Sequence, residues 1–596
     1  MTKNTWNKAG TQKRAGILAP LFSVYSKNSI GIGDFDDLKL LIEFCHKSGC
    51  SILQLLPMNE TGSTFCPYDA VSSFALEPMY ISLVALPGAS DKTIQAKIEA
   101  ARKANPSGQK HVDYKIKDEK IKLLRHIYSA QGAGDAKDLK KFSDHNAYWL
   151  DDFALFKVLK EFHKGKPWYE WEERYKEHDG RELAIFAKKH GKEVDFQKWS
   201  QWVAYRQFAE ARSCAGSKNV LMCGDLPILI SRDSADVWSH PEFFKLDFAA
   251  GAPPDMYCAK GQRWGMPTYD WDKISADSYT YLKEKLKFAE NFYDILRVDH
   301  VVGLFRIWSI PYNDPQENEG LNGVFDPSDE HLWKEHGVSI LSVMCGNTRM
   351  LLCAEDLGMI PKACPETLKE FAIPGNEVQR WTKDWVKTHD FLDPEEYREM
   401  SVAMLSTHDT TNWAAWWENE AGTVDQPLFI RKSLDRNIDY SAAQDRLFDP
   451  VRSKHGRLRW LDSIRSVDLL VGILGKRPEE LRDFIEMYEN TYEEKEKLWQ
   501  RFKLKGSMKE KSSPDTIAAA LKITLSSRSI FCIELIMDYL NMAGLYKGDL
   551  YAYRVNRPGT ISKDNWSLTI PLYLEELLKH GVCKEIKEMV SVSGRC

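Results

Sequence analysis

The stretch FYDILRVD (292–299) is a short apolar run that ends in an acidic residue, Asp299. Two later stretches have the same form, MLLCAED (350–356) and VAMLSTHD (402–409). Continuous apolar runs of this length are typical of strands that are buried on both faces, as in a parallel sheet. The chain therefore has at least three buried strands, each followed directly by carboxylates.

Similar segments occur along the whole chain and bring the number of predicted strands to eight. The five others are AGILA (15–19), SILQLL (51–56), NVLMCGD (219–225), EVQRW (377–381) and SIFCIELIM (529–537). Helical patterns lie between several of them. One is FDDLKLLIEFCHKSG (35–49), whose apolar residues follow i, i+3, i+4 spacing before Gly49. Eight strand–helix units suggest a (β/α)8 barrel, although periodicity alone does not separate a barrel from a doubly wound sheet.

The spacing between the predicted strands is very uneven. About 160 residues separate the second strand from the third, far more than one crossover needs. We therefore expect one catalytic barrel over residues 1–596 with two inserted, mostly helical subdomains, at 90–215 and 412–528. After the turn RPGT (557–560) the remaining sequence is short and helix-like, so we expect no C-terminal β-sandwich.

Composition excludes several classes of protein. The 596 residues are 43% hydrophobic, which is enough for a large core. The net charge of −5 gives no basic excess, so nucleic acid and anionic membrane are not expected as partners. The N-terminal residues are polar and lack an apolar signal core, and none of the 12 cysteines forms a C-x-x-C pair. These features favour a cytoplasmic protein that uses no metal and no cofactor.

The acids at the three strand ends fit retaining glycoside chemistry. In a (β/α)8 barrel the reactive groups gather at the C-terminal ends of the strands, so Asp299, Glu355 and Asp409 would meet there. One carboxylate attacks the sugar carbon, and a second carboxyl protonates the leaving oxygen. Arg297 would hold Asp299 ionised, because a nearby positive charge lowers a carboxylate pKa. The alternative is that each acid only caps the following helix.

Several further motifs occur in the order that one known family has them. They are SIGIGDF (29–35), LQLLPMN (53–59), CPYDAVSSFALEP (66–78), GDLPILISRDSADVW (224–238), PPDMYCAKGQRWGMPTYDW (253–271), ILRVDHVVGLFRIWSIP (295–311), LCAEDLG (352–358), STHDT (406–410) and RVNRPGT (554–560) followed by Asn565 and Trp566. With these motifs the chain resembles the 4-alpha-glucanotransferases of glycoside hydrolase family 77, also called amylomaltases or disproportionating enzymes. The resemblance covers most of the predicted barrel and implies the (β/α)8 barrel rather than the doubly wound sheet.

The resemblance implies a role for each acid. Asp299 would be the nucleophile that forms a β-glucosyl ester, and Glu355 would be the general acid and then the base. Asp409 would grip sugar hydroxyls and stabilise the transition state. Asp356 remains open as an alternative acid, with helix capping as its other role. We expect burial and the nearby carboxylates to raise the pKa of Glu355.

The resemblance also implies a set of substrate-binding residues. Arg297 would keep Asp299 charged, His300 and His408 would bond sugar hydroxyls, and Tyr68 and Trp264 would stack on sugar rings. Each of these side chains has a purely structural alternative. The full set is Tyr68, Asp255, Gln262, Trp264, Arg297, His300, His408 and Asn556.

The implied reaction is transfer of α-1,4-glucan segments between maltooligosaccharides, with glucose or a glucan as acceptor and glycogen, starch or heteroglycan as further partners. Transfer would need an acceptor site that limits water, and the loops at 253–267 and 312–325 are the candidates for covering it. Rival hypotheses are an α-amylase-like hydrolase, a non-catalytic glucan-binding protein and a metal-dependent barrel. Oligomeric state stays open.

The sequence departs from the family pattern at three places. Met266 and Thr410 each occupy a position where the family usually has Asn, and ELIMDYLNMAG (534–544) lacks the usual Gln-Asp pair. In addition, VQRWTKDW (378–385) resembles the longer, heteroglycan-active branch of the family. These departures bear on acceptor preference more than on the chemistry.

Overall fold

The computed structural model describes residues 3–87, 89–131, 136–254 and 259–595. Eight strands lie parallel in one sheet, and each of the eight predicted segments overlaps one of them. The segment EVQRW overlaps its strand only at 377–378, because 379–381 form a 3-10 helix. In chain order the strands are β1 (Arg14–Leu18), β2 (Ile52–Gln54), β3 (Leu221–Leu226), β4 (Ile295–Val298), β5 (Leu351–Ala354), β6 (Gly375–Val378), β7 (Ser401–Met404) and β8 (Phe531–Leu535).

The sheet closes into a barrel. Its strand order is β5-β4-β3-β2-β1-β8-β7-β6. The two ends of this order meet where the backbone N–H of Ala354 donates to the carbonyl of Pro374 at 2.7 Å. The predicted (β/α)8 barrel is confirmed, and the alternative of a doubly wound sheet is excluded. Because all strands are parallel, their C-terminal ends open on the same mouth.

The first barrel helix shows how local sequence fixes an element. It spans Phe35–Lys47, and the Asp34 carboxylate caps it by accepting from the backbone N–H groups of Asp36 and Asp37. The apolar residues of the predicted i, i+3, i+4 pattern are all buried against the barrel. Gly49 follows the helix with φ of +72°, a conformation in which glycine has no side-chain penalty.

Most of the remaining helices lie in two long connections. Between β2 and β3 the helices are Lys92–Ala104, Lys115–Gln131, Ala136–His145, Ala147–Phe162, Glu173–Lys176, Gly180–Lys189 and Gly191–Ser217. Between β7 and β8 they are Trp413–Asn419, Gln426–Asp435, Tyr440–Leu447, Val467–Leu474, Arg482–Thr491, Glu494–Phe502 and Pro514–Ser526.

The remaining helices lie outside these two long connections. They are Lys3–Ala9 before β1, Ala235–Ser239, Trp271–Ala276 and Thr280–Ala289 after β3, Trp333–Gly346 after β4, Ala363–Glu370 after β5, and Ile536–Met542, Leu574–Leu577 and Gly581–Val592 after β8. None of the helices in the described ranges combines the length and apolar character that crossing a membrane requires.

The connection between β7 and β8 has a hydrophobic core of its own. Apolar side chains between Val424 and Tyr488 form a cluster separate from the main core. A two-stranded ribbon of Thr423–Asp425 and Arg457–Arg459 accompanies its helices. The connection therefore has a packed interior that is separate from the barrel core.

A small antiparallel sheet lies beside the mouth of the barrel. Its strands are Phe248–Ala252, Gln262–Arg263, Ile307–Pro311 and Val324–Asp326. Two short antiparallel pairs accompany it, Phe244–Lys245 with Thr268–Tyr269 and Lys383–Asp384 with Asp390–Phe391. The small sheet joins the connections that follow β3 and β4, and it presents the GQRWG motif at the end of these two strands.

Candidate active site

Arg297 lies between two carboxylates at the mouth of the barrel. It is paired in register with Asp225 on the neighbouring strand β3. Its Nη1 atom lies 2.7 Å from each carboxylate oxygen of Asp225 and 3.0 Å from Oδ1 of Asp299. The Asp225 side chain is fully buried, whereas that of Asp299 keeps 26% of its surface exposed. Arg297 is therefore anchored from below by Asp225 and holds Asp299 at the open side.

Tyr68 connects this ion pair to the histidine that follows β7. Its hydroxyl donates to Oδ2 of Asp225 at 2.7 Å and lies 2.9 Å from Nε2 of His408. Since the Tyr68 proton is used by Asp225, His408 donates from Nε2 to the phenol oxygen. The two rings are nearly parallel with centroids 5.3 Å apart, and Trp566 packs against both. Tyr68 and His408 thus form one wall of the pocket.

Glu355 lies directly beside Asp299. Its Oε2 accepts a hydrogen bond of 2.7 Å from the backbone N–H of His300, the amide that joins His300 to Asp299. Its own carbonyl accepts from the backbone N–H of Val301 at 3.1 Å. His300 has φ of +44° and ψ of +52°, the left-handed region, which turns this amide toward β5. Glu355 is therefore hydrogen-bonded to the peptide unit that joins Asp299 to His300.

Burial and charge give the two carboxyls different protonation states. Burial raises the pKa of Glu355 to about 8, and the negative charge of Asp299 adds to this while Arg297 opposes it. Burial and Asp409 also raise the pKa of Asp299, although Arg297 lowers it as expected. Because Arg297 contacts Asp299 directly, the negative charge of the pair lies on Asp299 and the proton on Glu355.

The histidines of the pocket are neutral. Burial lowers the pKa of His300 to about 4, with Arg306 contributing. Burial also lowers the pKa of His408, because this effect outweighs the attraction of Asp409. A neutral imidazole is both a hydrogen-bond donor and an acceptor, which suits contact with sugar hydroxyls.

Asp409 faces the open part of the site. Its side chain is 45% exposed, and its Oδ1 accepts a hydrogen bond of 2.7 Å from Nδ2 of Asn556. The backbone carbonyl of Asp409 accepts from Nη2 of Arg554 at 3.2 Å. The second carboxylate oxygen lies 3.5 Å from Nε2 of His408, which leaves it accessible to a ligand hydroxyl. The RVNRPGT segment (554–560) therefore orients the third acid.

The GQRWG motif of the small sheet reaches the same pocket. Trp264 meets the His300 ring edge-to-face at 4.9 Å, and its Nε1 donates to Oε1 of Gln262 at 3.0 Å. Both residues are half-buried. Asp255, which belongs to the same predicted set, lies outside the described residues. In residues 3–87, 89–131, 136–254 and 259–595, no group of three or more His, Cys, Asp or Glu side chains is arranged to hold a metal ion.

Comparison with known proteins identifies the family of the chain. The family model of glycoside hydrolase family 77, described as 4-alpha-glucanotransferase, matches residues 19–573. The chain belongs to this family. The 4-alpha-glucanotransferase of Chlamydia pneumoniae is 32% identical over 586 residues, which cover 97% of this chain and 95% of the relative.

Two solved amylomaltases share the fold. The amylomaltase of Streptococcus agalactiae in complex with acarbose has a TM-score of 0.70 at 21% identity, covering 98% of this chain and all of the other. The amylomaltase of Corynebacterium glutamicum has a TM-score of 0.71 at 19% identity, covering 99% of this chain and 76% of the other. The predicted family and enzyme class are confirmed.

The alternative acid in this family 77 chain, Asp356, points away from the pocket. Its oxygens lie 2.6 Å from Nη1 of Arg398 and 2.6 Å from the backbone N–H of Asn376, at the junction of β5 and β6. A side chain added at Gly375 would collide with it. Asp356 therefore stabilises the closure of the barrel, and Glu355 is the carboxyl that faces Asp299.

Sequence reasoning missed Asp225, although the signal was available. NVLMCGD (219–225) was recognised as a strand, and it ends in an acid just as the three predicted catalytic strands do. Asp225 contacts Arg297 and Tyr68, two of the predicted binding residues. Trp566 was also left without a role, and it lines the pocket against Tyr68 and His408.

Replacing Asp225 with Asn should separate two effects of this family 77 site. The amide would no longer pair with the charge of Arg297 and would turn a donor toward it. Because this breaks a buried ion pair, we expect the free energy of unfolding to fall by about 3 kcal/mol. We also expect kcat to fall about 100-fold, because Arg297 would no longer be held against Asp299. Urea unfolding and initial rates of glucose release from maltotriose measure the two effects.

A matched control is Asp236→Asn. Asp236 is also buried and accepts a hydrogen bond of 2.7 Å from the hydroxyl of Tyr281, outside the pocket. We expect this variant to lose stability and to keep its rate. Equal rate losses in the two variants would contradict the role of Asp225 beneath Arg297.

Proposed function

We propose that the enzyme transfers α-1,4-glucan segments from a maltooligosaccharide to glucose or another glucan by a retaining double displacement through Asp299. The observation that carries this proposal is the contact of Arg297 with Asp299 beside a Glu355 carboxyl bonded to the Asp299–His300 peptide. Retaining glycoside chemistry uses a carboxylate nucleophile and a protonated carboxyl acid, and we assign these roles to Asp299 and Glu355.

In the first step, a carboxylate oxygen of Asp299 attacks the anomeric carbon while Glu355 donates its proton to the glycosidic oxygen. The bond between the anomeric carbon and that oxygen breaks, the shortened glucan leaves as an alcohol, and a β-glucosyl ester of Asp299 remains. Arg297 stays paired with Asp225 throughout, so its charge is not lost when Asp299 is consumed. Asp409, whose carboxylate is 45% exposed, would bond hydroxyls of the same sugar ring.

In the second step, the ionised Glu355 removes the proton from the 4-hydroxyl of an acceptor sugar. The acceptor oxygen attacks the anomeric carbon, the ester bond to Asp299 breaks, and the α-1,4 linkage forms again. Water would complete hydrolysis by the same route. What distinguishes the two outcomes is whether a sugar occupies the acceptor position before water reaches the ester.

Contacts among the mouth loops support transfer. The backbone N–H of Gly320 donates to the carbonyl of Lys260 at 3.0 Å, and Nη1 of Arg263 donates to the carbonyl of Asp314 at 2.7 Å. These bonds join residues 260–263 of the first predicted loop to the loop at 312–325. Nη1 of Arg431, in the inserted connection between β7 and β8, also bonds to the carbonyl of Ala259. We infer that these three linked segments border the acceptor side.

Product analysis with maltotriose tests the proposal. We expect glucose together with maltodextrins longer than maltotriose, resolved by chromatography over time. Release of glucose and maltose without longer products would contradict the proposal, because it would show hydrolysis instead of transfer. The Asp299→Asn variant is the control, because it should give neither pattern if the reaction belongs to this site.

The rate should depend on pH through the two carboxyls. In the free enzyme Glu355 must carry its proton, so kcat/KM should fall as the pH rises through the pKa of Glu355, about 8. On the acid side kcat/KM should fall as Asp299 is protonated, at a pH above the ordinary range of an aspartate because its pKa is raised. A pH series of initial rates at low maltotriose measures both limbs. A rate that stays constant far above the pKa of Glu355 would contradict the assignment of the acid.

A further inference from the structure

A second arginine is buried at the barrel mouth away from the catalytic carboxylates. Arg380 follows β6 in the VQRW segment and is 3% exposed. Burial lowers its pKa to about 10, so it remains charged at neutral pH. No Asp or Glu of the described ranges lies within the 4.0 Å ion-pair distance of its guanidinium. A buried guanidinium is tolerated only when hydrogen bonds satisfy it, so its partners indicate what Arg380 does.

The partners of Arg380 all belong to one loop. Its Nη1 donates to Oγ1 of Thr411 at 3.0 Å, and its Nη2 donates to Oγ of Ser406 at 2.9 Å and to the carbonyl of Thr411 at 2.8 Å. Ser406 and Thr411 flank the segment that contains His408 and Asp409. One guanidinium therefore holds both ends of the loop that carries two residues of the pocket.

The strand ends on either side make this arrangement rigid. Asp538, which follows β8 and is fully buried, accepts a hydrogen bond of 2.7 Å from the backbone N–H of Trp413. Gln379 accepts from Nε1 of Trp413 at 2.8 Å. The Arg380 guanidinium also lies 5.3 Å from the ring centroid of Trp416. Residues after β6, β7 and β8 thus form one connected network.

We propose that Arg380 is a positioning residue that sets the orientation of His408 and Asp409 toward the sugar in the cleaved subsite. This rests on the proposed function of the pocket and adds a residue to it that lies outside the substrate contacts. The planar guanidinium presents Nη1 and Nη2 at a fixed spacing, so it bridges Ser406 and Thr411 at once. A lysine would supply one ammonium group and could not hold both ends in the same geometry.

Steady-state kinetics of Arg380→Met and Arg380→Lys test the proposal. We expect Arg380→Met to lose about 100-fold in kcat with little change in KM, since a small displacement of Asp409 weakens contacts that matter most in the transition state. Arg380→Lys should recover part of this loss. A kcat equal to that of the wild type in a folded Arg380→Met variant would overturn the proposal.

The chain offers a matched control at the other end of the barrel. Arg595 is 4% exposed and donates to the carbonyls of Leu525, Ser527 and Ser529 at 2.6, 2.9 and 2.8 Å. Arg595→Met should therefore lower the midpoint of thermal unfolding and leave kcat unchanged. If both methionine variants lose kcat in proportion to stability, Arg380 is structural and the proposal fails.

A double-mutant cycle keeps the test decisive if Arg380→Met does not fold. Thr411→Val removes the hydroxyl acceptor at nearly constant shape, and we expect its effect on kcat to be non-additive with that of Arg380→Lys. Additive effects would overturn the proposal. Wild-type enzyme in the same assay separates the two hypotheses, because absence of transfer by the wild type would reject the proposed function and not the role of Arg380.

Discussion

Asp299→Asn should lower the rate of glucose release from maltotriose by about 10⁴-fold or more, as expected when a covalent nucleophile is removed. The amide has nearly the same shape as the carboxylate, and Arg297 keeps its contacts with Asp225. The fold should therefore persist while the ester can no longer form. Initial rates measured alongside thermal unfolding will show whether activity is lost without loss of structure.

A smaller side chain at this position allows a sharper test. In Asp299→Gly, azide can occupy the space of the missing carboxylate and attack an activated donor such as α-maltosyl fluoride. Attack from that face should give the β-glycosyl azide, because one displacement inverts the anomeric carbon. Formation of the α-glycosyl azide, or no rescue in a folded variant, would contradict the assignment of Asp299 as nucleophile.

Much of the barrel could be predicted because each strand carries its own signal. A short apolar run bounded by polar residues identifies a buried strand, and seven of the eight strands carry this signal. The sixth, Gly375–Val378, is predicted only from the weaker segment EVQRW (377–381). The motifs that follow β4, β5 and β7 placed the three acids at one mouth as soon as the barrel was inferred. Sequence periodicity did not establish closure, because closure depends on the pairing of β5 with β6 across the ring.

The side chains that organise the site were harder to find because their partners come from tertiary pairing. The role of Asp225 follows from the pairing of β3 with β4, which places Arg297 in register opposite it. The left-handed backbone of His300 brings its amide to Glu355, and the sequence RVDH (297–300) does not predict that conformation. Arg380 depends on two loop hydroxyls, Ser406 and Thr411, that lie 26 and 31 residues away.

The choice between Glu355 and Asp356 also depends on tertiary partners and could not be made from the sequence. The two acids are adjacent in sequence, and both follow a buried strand. Successive side chains at the end of a strand point to opposite sides, so only one of them can face Asp299. Arg398 binds the other on the outer side of the β5–β6 junction, and this partner lies 42 residues further along the chain.

Glu355→Gln should therefore lower transfer from maltotriose by about 10³-fold, within the range that a general acid and base contributes. The glutamine side chain can still accept the hydrogen bond from the backbone N–H of His300, but it has no proton to give to a leaving sugar. With α-maltosyl fluoride the leaving group needs no proton, so the first step should continue. The glycosyl ester of Asp299 should then accumulate and be visible by mass spectrometry of the peptide that contains it.

Asp356→Asn is the matched control for this prediction, since it removes the neighbouring acid of the same pair. It should lower stability, because Arg398 would lose the buried partner at 2.6 Å, while transfer by the folded enzyme stays close to that of the wild type. With azide, Glu355→Ala should yield the α-glycosyl azide, the opposite anomer to that expected from Asp299→Gly, because two displacements restore the configuration. If Asp356→Asn abolished transfer and Glu355→Gln did not, the acid would be Asp356, and the two carboxyls joined through the His300 amide would not be the reacting pair.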